Sequence, residues 1–198
     1  MNAKKDILGG KIGMWLFLYT EIMLFGGLFV LYAAYLSRYS QDFIAGGKEL
    51  NLTFGLVNTL MLLVSSFMVA AAITAVQRKS TRTAILFLLA AISMGIVFLI
   101  NKYFEWGHKF EIGIYPNSPD LVNGPPGENI FFSLYYVITG LHGLHIIFGL
   151  MLLIVSLVYL LRQKITAKNY GLLENAGLYW HLVDLIWIFV FPLFYLII

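Results

Sequence analysis

The chain has 198 residues, a formal net charge of +3 and no cysteine. Hydrophobic residues make up 60% of it and charged residues only 12%, against roughly 25% charged residues in a typical soluble domain. This composition, with a mean hydropathy of +0.84, excludes an ordinary soluble domain, and the lack of cysteine excludes disulfides and thiolate metal sites. We therefore predict an all-α integral membrane protein.

Five apolar runs are long enough to cross a membrane, because a bilayer core about 30 Å thick needs about 20 residues of helix. They cover residues 13–37, 54–77, 84–106, 130–161 and 175–198. The longest connection, 107–129, holds four of the five prolines and is predicted to be an ordered surface loop. Residues 1–198 are thus predicted to form a single transmembrane domain, a bundle of five helices.

The first run follows Lys4, Lys5 and Lys11, as the apolar core of a signal peptide would. It is longer than the roughly 7–15 residues of a signal core and lacks a small-residue cleavage site, so we expect it to be retained.

Basic residues indicate the orientation. Five spans place the chain ends on opposite sides of the membrane. One set of connections carries nine basic residues: Lys4, Lys5, Lys11, Arg78, Lys79, Arg82, Arg162, Lys164 and Lys168. The opposite set carries four: Arg38, Lys48, Lys102 and Lys109. The positive-inside rule then predicts a cytoplasmic N-terminus and an outside C-terminus. The net positive charge reflects this topology, and no basic, aromatic-rich soluble surface indicates nucleic-acid binding.

Ionisable residues inside the spans are the candidate functional groups, since such residues are costly in the membrane. Glu21 lies among apolar residues of the first run, where we expect a hydrogen bond to a neighbouring helix. Glu105, at the outer end of the third run beside Trp106, is expected to act as an interfacial anchor. His142 and His145, three residues apart, lie on one stripe of the fourth run.

The fifth run carries Trp180, His181 and Asp184, with the last two also three residues apart. About a dozen residues join the fourth and fifth runs, so we expect these helices to be antiparallel neighbours. Three interpretations of the resulting polar group stay open: a structural network between helices, a metal or haem site using histidine and carboxylate ligands, and a path that relays or stores protons.

A family resemblance rests on these motifs. Residues 139–149, with His142 and His145, and residues 179–187, with the Trp-His-x-x-Asp motif, resemble the last two helices of subunit III of haem-copper oxidases. Glu21, in a Glu-x-Met-x-Phe setting, resembles the buried carboxylate of that family's third helix, and Glu105 matches a segment of its fifth helix more loosely. The resemblance covers residues 11–198 and is to a five-helix form that lacks the family's first two helices.

The resemblance implies an auxiliary subunit of a proton-pumping terminal oxidase that reduces O2 to water in the bacterial plasma membrane. Haem and copper would lie in partner subunits I and II, because four histidines and no cysteine do not suffice for the family's redox centres. No catalytic residue or metal site is then expected in this chain. Its implied roles are to brace the catalytic subunit, bind phospholipid and support proton uptake. Glu21 would be a proton-related carboxylate. The lipid-binding or structural polar network would comprise His142, His145, His181, Asp184, Glu105 and Trp180.

Two alternatives remain. An auxiliary subunit of nitric oxide reductase would have the same five-helix pattern. A small proton-coupled transporter would use the buried ionisable residues as its pathway and would show discontinuous helices or inverted repeats. The electron donor, cytochrome c or a quinol, is left open.

Overall fold

The computed structural model describes residues 7–196. Within that range the chain forms helices joined by short connections. In chain order these are α1 (Ile7–Arg38), α2 (Ser40–Lys48), α3 (Leu52–Gln77), α4 (Thr81–Glu111), α5 (Pro119–Asn123), α6 (Pro126–Leu161) and α7 (Gly171–Tyr195). The five long helices α1, α3, α4, α6 and α7 are long and apolar enough to span a membrane, which confirms the five predicted spans. Lys4 and Lys5, which were counted in the orientation prediction, lie outside the described residues. So does Ile198, the predicted end of the fifth run.

Four of the spanning helices form a closed bundle. Helix α3 packs on α4, α4 on α6, α6 on α7, and α7 back on α3. The contact between α6 and α7 confirms the expected pairing of the last two spans. Helix α1 lies outside this ring against α6 and α7, and only 11% of its most apolar stretch is buried, against 61% for α7. Helix α1 is therefore a peripheral member of the fold.

The prediction that 107–129 is a surface loop was wrong in extent. Helix α4 continues to Glu111, and both α5 and α6 begin with a proline, Pro119 and Pro126. Proline fits the first turn of a helix because its missing N–H would have no partner there. The Ser118 side chain also caps α5 by accepting a hydrogen bond from the Leu121 N–H at 3.3 Å. The prolines thus start helices here.

The short helix α2 was not predicted. It lies across the bundle end and buries Phe43, which packs edge-to-face on Phe131 of α6 with ring centroids 5.4 Å apart. Asp42 accepts a hydrogen bond from the Gly127 N–H at 3.1 Å, which ties α2 to the start of α6. Nine residues are too few to span a membrane, so the length of an apolar run does not predict this helix.

The turn between α3 and α4 is tight and basic. It consists of Arg78, Lys79 and Ser80, and Lys79 adopts a left-handed conformation with φ 59°. The Ser80 N–H donates to the Ala75 carbonyl at 2.9 Å and thereby closes the end of α3. This turn holds the ends of α3 and α4 side by side.

Candidate functional site

Glu21 and His145 form a pair between α1 and α6. The Glu21 Oε2 atom lies 2.8 Å from His145 Nε2, and the two side chains are 14% and 13% exposed. Phe25 packs edge-to-face on the imidazole with centroids 5.2 Å apart, and Tyr179 of α7 lies on its other side. A carboxyl and an imidazole thus meet in apolar surroundings at the edge of the bundle.

The hydrogen-bond geometry fixes how many protons this pair shares. The other ring nitrogen of His145, Nδ1, lies 2.7 Å from the Leu141 carbonyl oxygen. A carbonyl oxygen can only accept a hydrogen bond, so Nδ1 must carry a hydrogen. The Glu21–His145 contact then holds one proton, which resides either on Glu21 as a neutral acid or on His145 as an imidazolium. The pair is a one-proton site.

His142 does not join this pair. It is fully buried, and neither ring nitrogen has a hydrogen-bond partner among residues 7–196. Its ring packs against Phe98 of α4 and Trp187 of α7, with centroids 5.7 Å and 5.1 Å apart. Residues three apart on a helix differ by about 60° around its axis. His142 therefore faces the four-helix core, while His145 faces α1.

His181 and Asp184 lie on α7, apart from the Glu21–His145 pair. His181 Nδ1 is 2.5 Å from the Ser66 hydroxyl oxygen of α3, so this imidazole links α3 to α7. Asp184 is buried, and its Oδ1 atom has no hydrogen-bond partner within the described part of the chain. The sequence-predicted polar residues thus separate into distinct places and do not form one cluster.

Trp180 locks three helices together at the centre of the bundle. Its indole N–H donates to the Ser65 hydroxyl of α3 at 3.1 Å, and Ser65 donates to the Ala91 carbonyl of α4 at 3.0 Å. The ring lies between Gly95 and Gly149, where an added Cβ atom would come within 2.8 Å of ring carbons on either side. These two glycines make the space that the indole occupies.

A buried ion pair in the last third of α4 joins α4, α6 and α7. Lys102 Nζ lies 3.0 Å from Glu105 Oε2 and donates to the hydroxyls of Tyr135 and Tyr195 at 3.0 Å and 2.7 Å. Both tyrosines in turn donate to Glu105 Oε1, at 2.9 Å and 2.5 Å. Each charge is therefore compensated by its partner and by two hydroxyl groups. We call these four residues the Lys102 network.

The expectation that Glu105 is an interfacial anchor was wrong, because Glu105 is only 6% exposed and Lys102 only 8%. The tyrosines that solvate the pair come from helices 30 and 90 residues further along the chain, and no local pattern reveals them. A usable signal existed: Lys102 and Glu105 have the spacing of an intrahelical ion pair on an apolar helix.

Histidine and carboxylate side chains are also potential metal ligands. Among residues 7–196, no three histidine or carboxylate side chains come together in a way that could hold a metal ion. His142, His145 and His181 each lie in separate surroundings, as described above. The described residues therefore offer no set of three ligands for a metal ion.

Comparison with known proteins gives matches over almost the whole chain. The family profile described as cytochrome c oxidase subunit III matches residues 3–197. Cytochrome c oxidase subunit 3 of Synechocystis sp. is 36% identical over 188 residues, which cover 93% of this chain and 74% of that protein. Cytochrome bo(3) ubiquinol oxidase subunit 3 of Buchnera aphidicola subsp. Schizaphis graminum is 31% identical over 98% of this chain and 97% of its own length. A heme-copper oxidase subunit I+III of Aeropyrum pernix is 29% identical over 94% of this chain and 22% of its own length. The chain therefore belongs to the cytochrome c oxidase subunit III family, whose members are subunits of haem-copper oxidases.

Proposed function

We propose that this chain is an auxiliary subunit, without a redox centre of its own, of a proton-pumping oxidase that reduces O2 to water in the bacterial plasma membrane. Its residues 1–198 act as one transmembrane domain that braces the catalytic subunit, binds phospholipid and supports proton uptake. The family match carries the oxidase assignment. The one-proton contact between Glu21 and His145 supports the role in proton uptake.

The proposed partners are subunits I and II, which would hold the haem and copper. The Aeropyrum pernix relative supports a contact with subunit I, because its name combines subunits I and III in one chain. Helix α1 is the span with the most surface available for such a contact. Four histidines and no cysteine in this chain support the view that the redox centres lie elsewhere.

The Glu21–His145 pair would act as a local proton store. His145 Nδ1 stays bound to the Leu141 carbonyl, so only the proton between Nε2 and Glu21 can be exchanged. Both side chains retain partial exposure at the α1–α6 edge, which gives water or a partner subunit access to that proton. His142, His181, Asp184, Glu105 and Trp180 would then be structural polar groups between the helices of the subunit.

Replacing Glu21 tests this role. We expect Glu21→Gln and Glu21→Ala to leave haem content and initial turnover of the purified oxidase unchanged. The active lifetime under continuous turnover should be several-fold shorter, since the exchangeable proton is lost. Successive additions of O2 with oxygen consumption recorded each time measure that lifetime. Glu174→Gln is the matched control, because Glu174 is a carboxylate in an exposed ion pair with Lys11. A lifetime equal to that of the control, or loss of haem, would contradict the proposal.

We further propose that the α3–α4 turn faces the cytoplasm and that the C-terminus lies outside. The positive bias supporting this is stronger than the sequence count indicated, since two of the four opposing cations, Lys102 and Lys109, are buried in the bundle. Among the described residues, Arg38 and Lys48 then remain as the exposed basic residues on the opposite side.

The lack of cysteine makes orientation directly measurable. In intact cells, an impermeant thiol reagent should modify Val122→Cys, in α5, and should not reach Lys79→Cys until the membrane is opened. Both positions are exposed in the structure. The reverse labelling pattern would show the opposite orientation.

An auxiliary role in nitric oxide reductase is a weaker candidate, because the relatives named above are oxidase subunits. The transporter alternative has less support still, since the five spans are continuous helices. A reduced-minus-oxidised spectrum of the complex purified through this chain distinguishes all three: oxidase haem bands with copper, reductase haem bands, or no bands. Either of the last two would overturn the proposal.

A further inference from the structure

The groove between the cytoplasmic halves of α3 and α4 has the dimensions and polarity of a lipid site. It is an open groove with a volume of about 500 Å³, within the range of roughly 300–1,000 Å³ that is typical of ligand sites. Its floor consists of small side chains, Ala70, Ala71 and Thr74, with Phe67 at the deep end. Arg78, Ser80 and Thr83 line the shallow end. The groove is therefore apolar in its depth and polar at its mouth.

The length of the groove matches one membrane leaflet. Phe67 and Arg78 are eleven residues apart on α3, which corresponds to about 16 Å along the helix axis. Half of a bilayer core about 30 Å thick is about 15 Å. An acyl chain anchored at the α3–α4 turn would thus run along the whole groove to the middle of the membrane.

The charge at the mouth is not balanced by an acidic side chain among residues 7–196. Arg78, Lys79 and Arg82 lie within five residues, and the sequence contains no Asp or Glu between Glu49 and Glu105. Among residues 7–196, none of these three cations takes part in an ion pair. The hydroxyls of Ser80 and Thr83, 2.8 Å apart, lie beside them. Cations and hydroxyls without an acidic partner are suited to a phosphate group, and clustered basic residues at a membrane surface attract anionic lipid.

We propose that the α3–α4 groove binds an anionic phospholipid, with the acyl chain on Ala70, Ala71 and Thr74 and the phosphate at Arg78, Ser80 and Thr83. This deepens the lipid-binding part of the proposed function and assigns it to a place separate from the Glu21–His145 pair. The sequence feature that corresponds to this site is a stretch of small residues on α3, followed by the basic turn that connects α3 to α4.

Lipid retention measures the site. The oxidase complex is purified through this chain into nanodiscs of phosphatidylcholine with a small fraction of phosphatidylglycerol, then released, and the bound lipids are counted by native mass spectrometry. We expect Arg78→Gln to lose about one phosphatidylglycerol per complex relative to the wild type. Ala70→Phe, which fills the groove and leaves the charge intact, should lose the same lipid. Arg162→Gln removes an exposed cation at the same side, outside the groove, and should retain it.

Three results would overturn the inference. The first is equal phosphatidylglycerol retention in Arg78→Gln, Ala70→Phe and Arg162→Gln. The second is displacement of the lipid by millimolar inorganic phosphate, which would indicate a site for free anions. The third is cross-linking of Thr74→Cys to a partner subunit in the intact complex, which would show that a protein helix covers the groove. Turnover lifetime of Glu21→Gln, measured in the same preparations, reports on the proposed function independently, so either idea can fail alone.

Discussion

Lys102→Met is expected to destabilise the subunit by about 3–5 kcal/mol, because it leaves a buried carboxylate without its cation. Glu105 is 6% exposed, so water cannot replace the ammonium group. The two tyrosine hydroxyls that remain, Tyr135 and Tyr195, can donate hydrogen bonds but carry no charge. Heating native membranes in steps and measuring the soluble tagged subunit after detergent extraction would show a lower midpoint temperature for the variant.

The double substitution Lys102→Met/Glu105→Gln separates charge imbalance from lost packing. It removes both charges, so it should recover much of the stability that Lys102→Met loses. Lys48→Met is the matched control, because Lys48 is exposed on α2 and forms no ion pair within the described residues. If the double variant were no more stable than the single one, the Lys102 network would not be acting as a compensated pair.

Gly149→Ala should lower stability by about 1–3 kcal/mol, the usual cost of overpacking a filled core. The added methyl group would lie 2.8 Å and 3.1 Å from two carbons of the Trp180 ring. The indole cannot retreat, since Gly95 of α4 contacts its opposite edge and its N–H is bonded to Ser65. The same extraction assay after heating would report a lower midpoint temperature.

Gly143→Ala, on the same helix, is the control for helix propensity. A Cβ atom there has no neighbour within 4 Å, so we expect the midpoint temperature to stay at the wild-type value or rise slightly. Combining Gly149→Ala with Trp180→Phe, which removes the contacting part of the indole, should cost less than the two single changes added together. Simple additivity of the two would show that Gly149 does not act through Trp180.

The spans could be read from the sequence because the membrane imposes one requirement, about 20 apolar residues, that is local in the chain. Helices α2 and α5 were not predicted because their stability comes from contacts with residues distant in sequence, such as that of Phe43 with Phe131. Prolines 119 and 126 were misread for a related reason: a proline both ends one helix and begins another, and composition does not distinguish these two cases.

In the candidate site, too, local features could be predicted from the sequence and contacts between distant residues could not. The sequence identified Glu21 and His145 as unusual residues, yet the hydrogen bond between them joins positions 124 apart. Likewise, periodicity put His142 and His145 on one stripe, but a stripe about 60° wide can face two different neighbours. Which neighbour each histidine contacts depends on where α1 docks, and this is a tertiary property that no spacing within α6 contains.

The peripheral position of α1 has a consequence for the order of events during synthesis. Its contacts are with α2, α6 and α7, and α6 begins only at Pro126. Helix α1 therefore enters the membrane before α3, α4 and α6, and must wait there while α3 and α4 are made and inserted. Throughout that interval Glu21 has no His145 to share its proton with, which is costly at membrane depth. The Glu21–His145 contact can then close only after α6 has been made, and a ribosome-bound chain that stops before α6 would still hold that carboxyl unpaired.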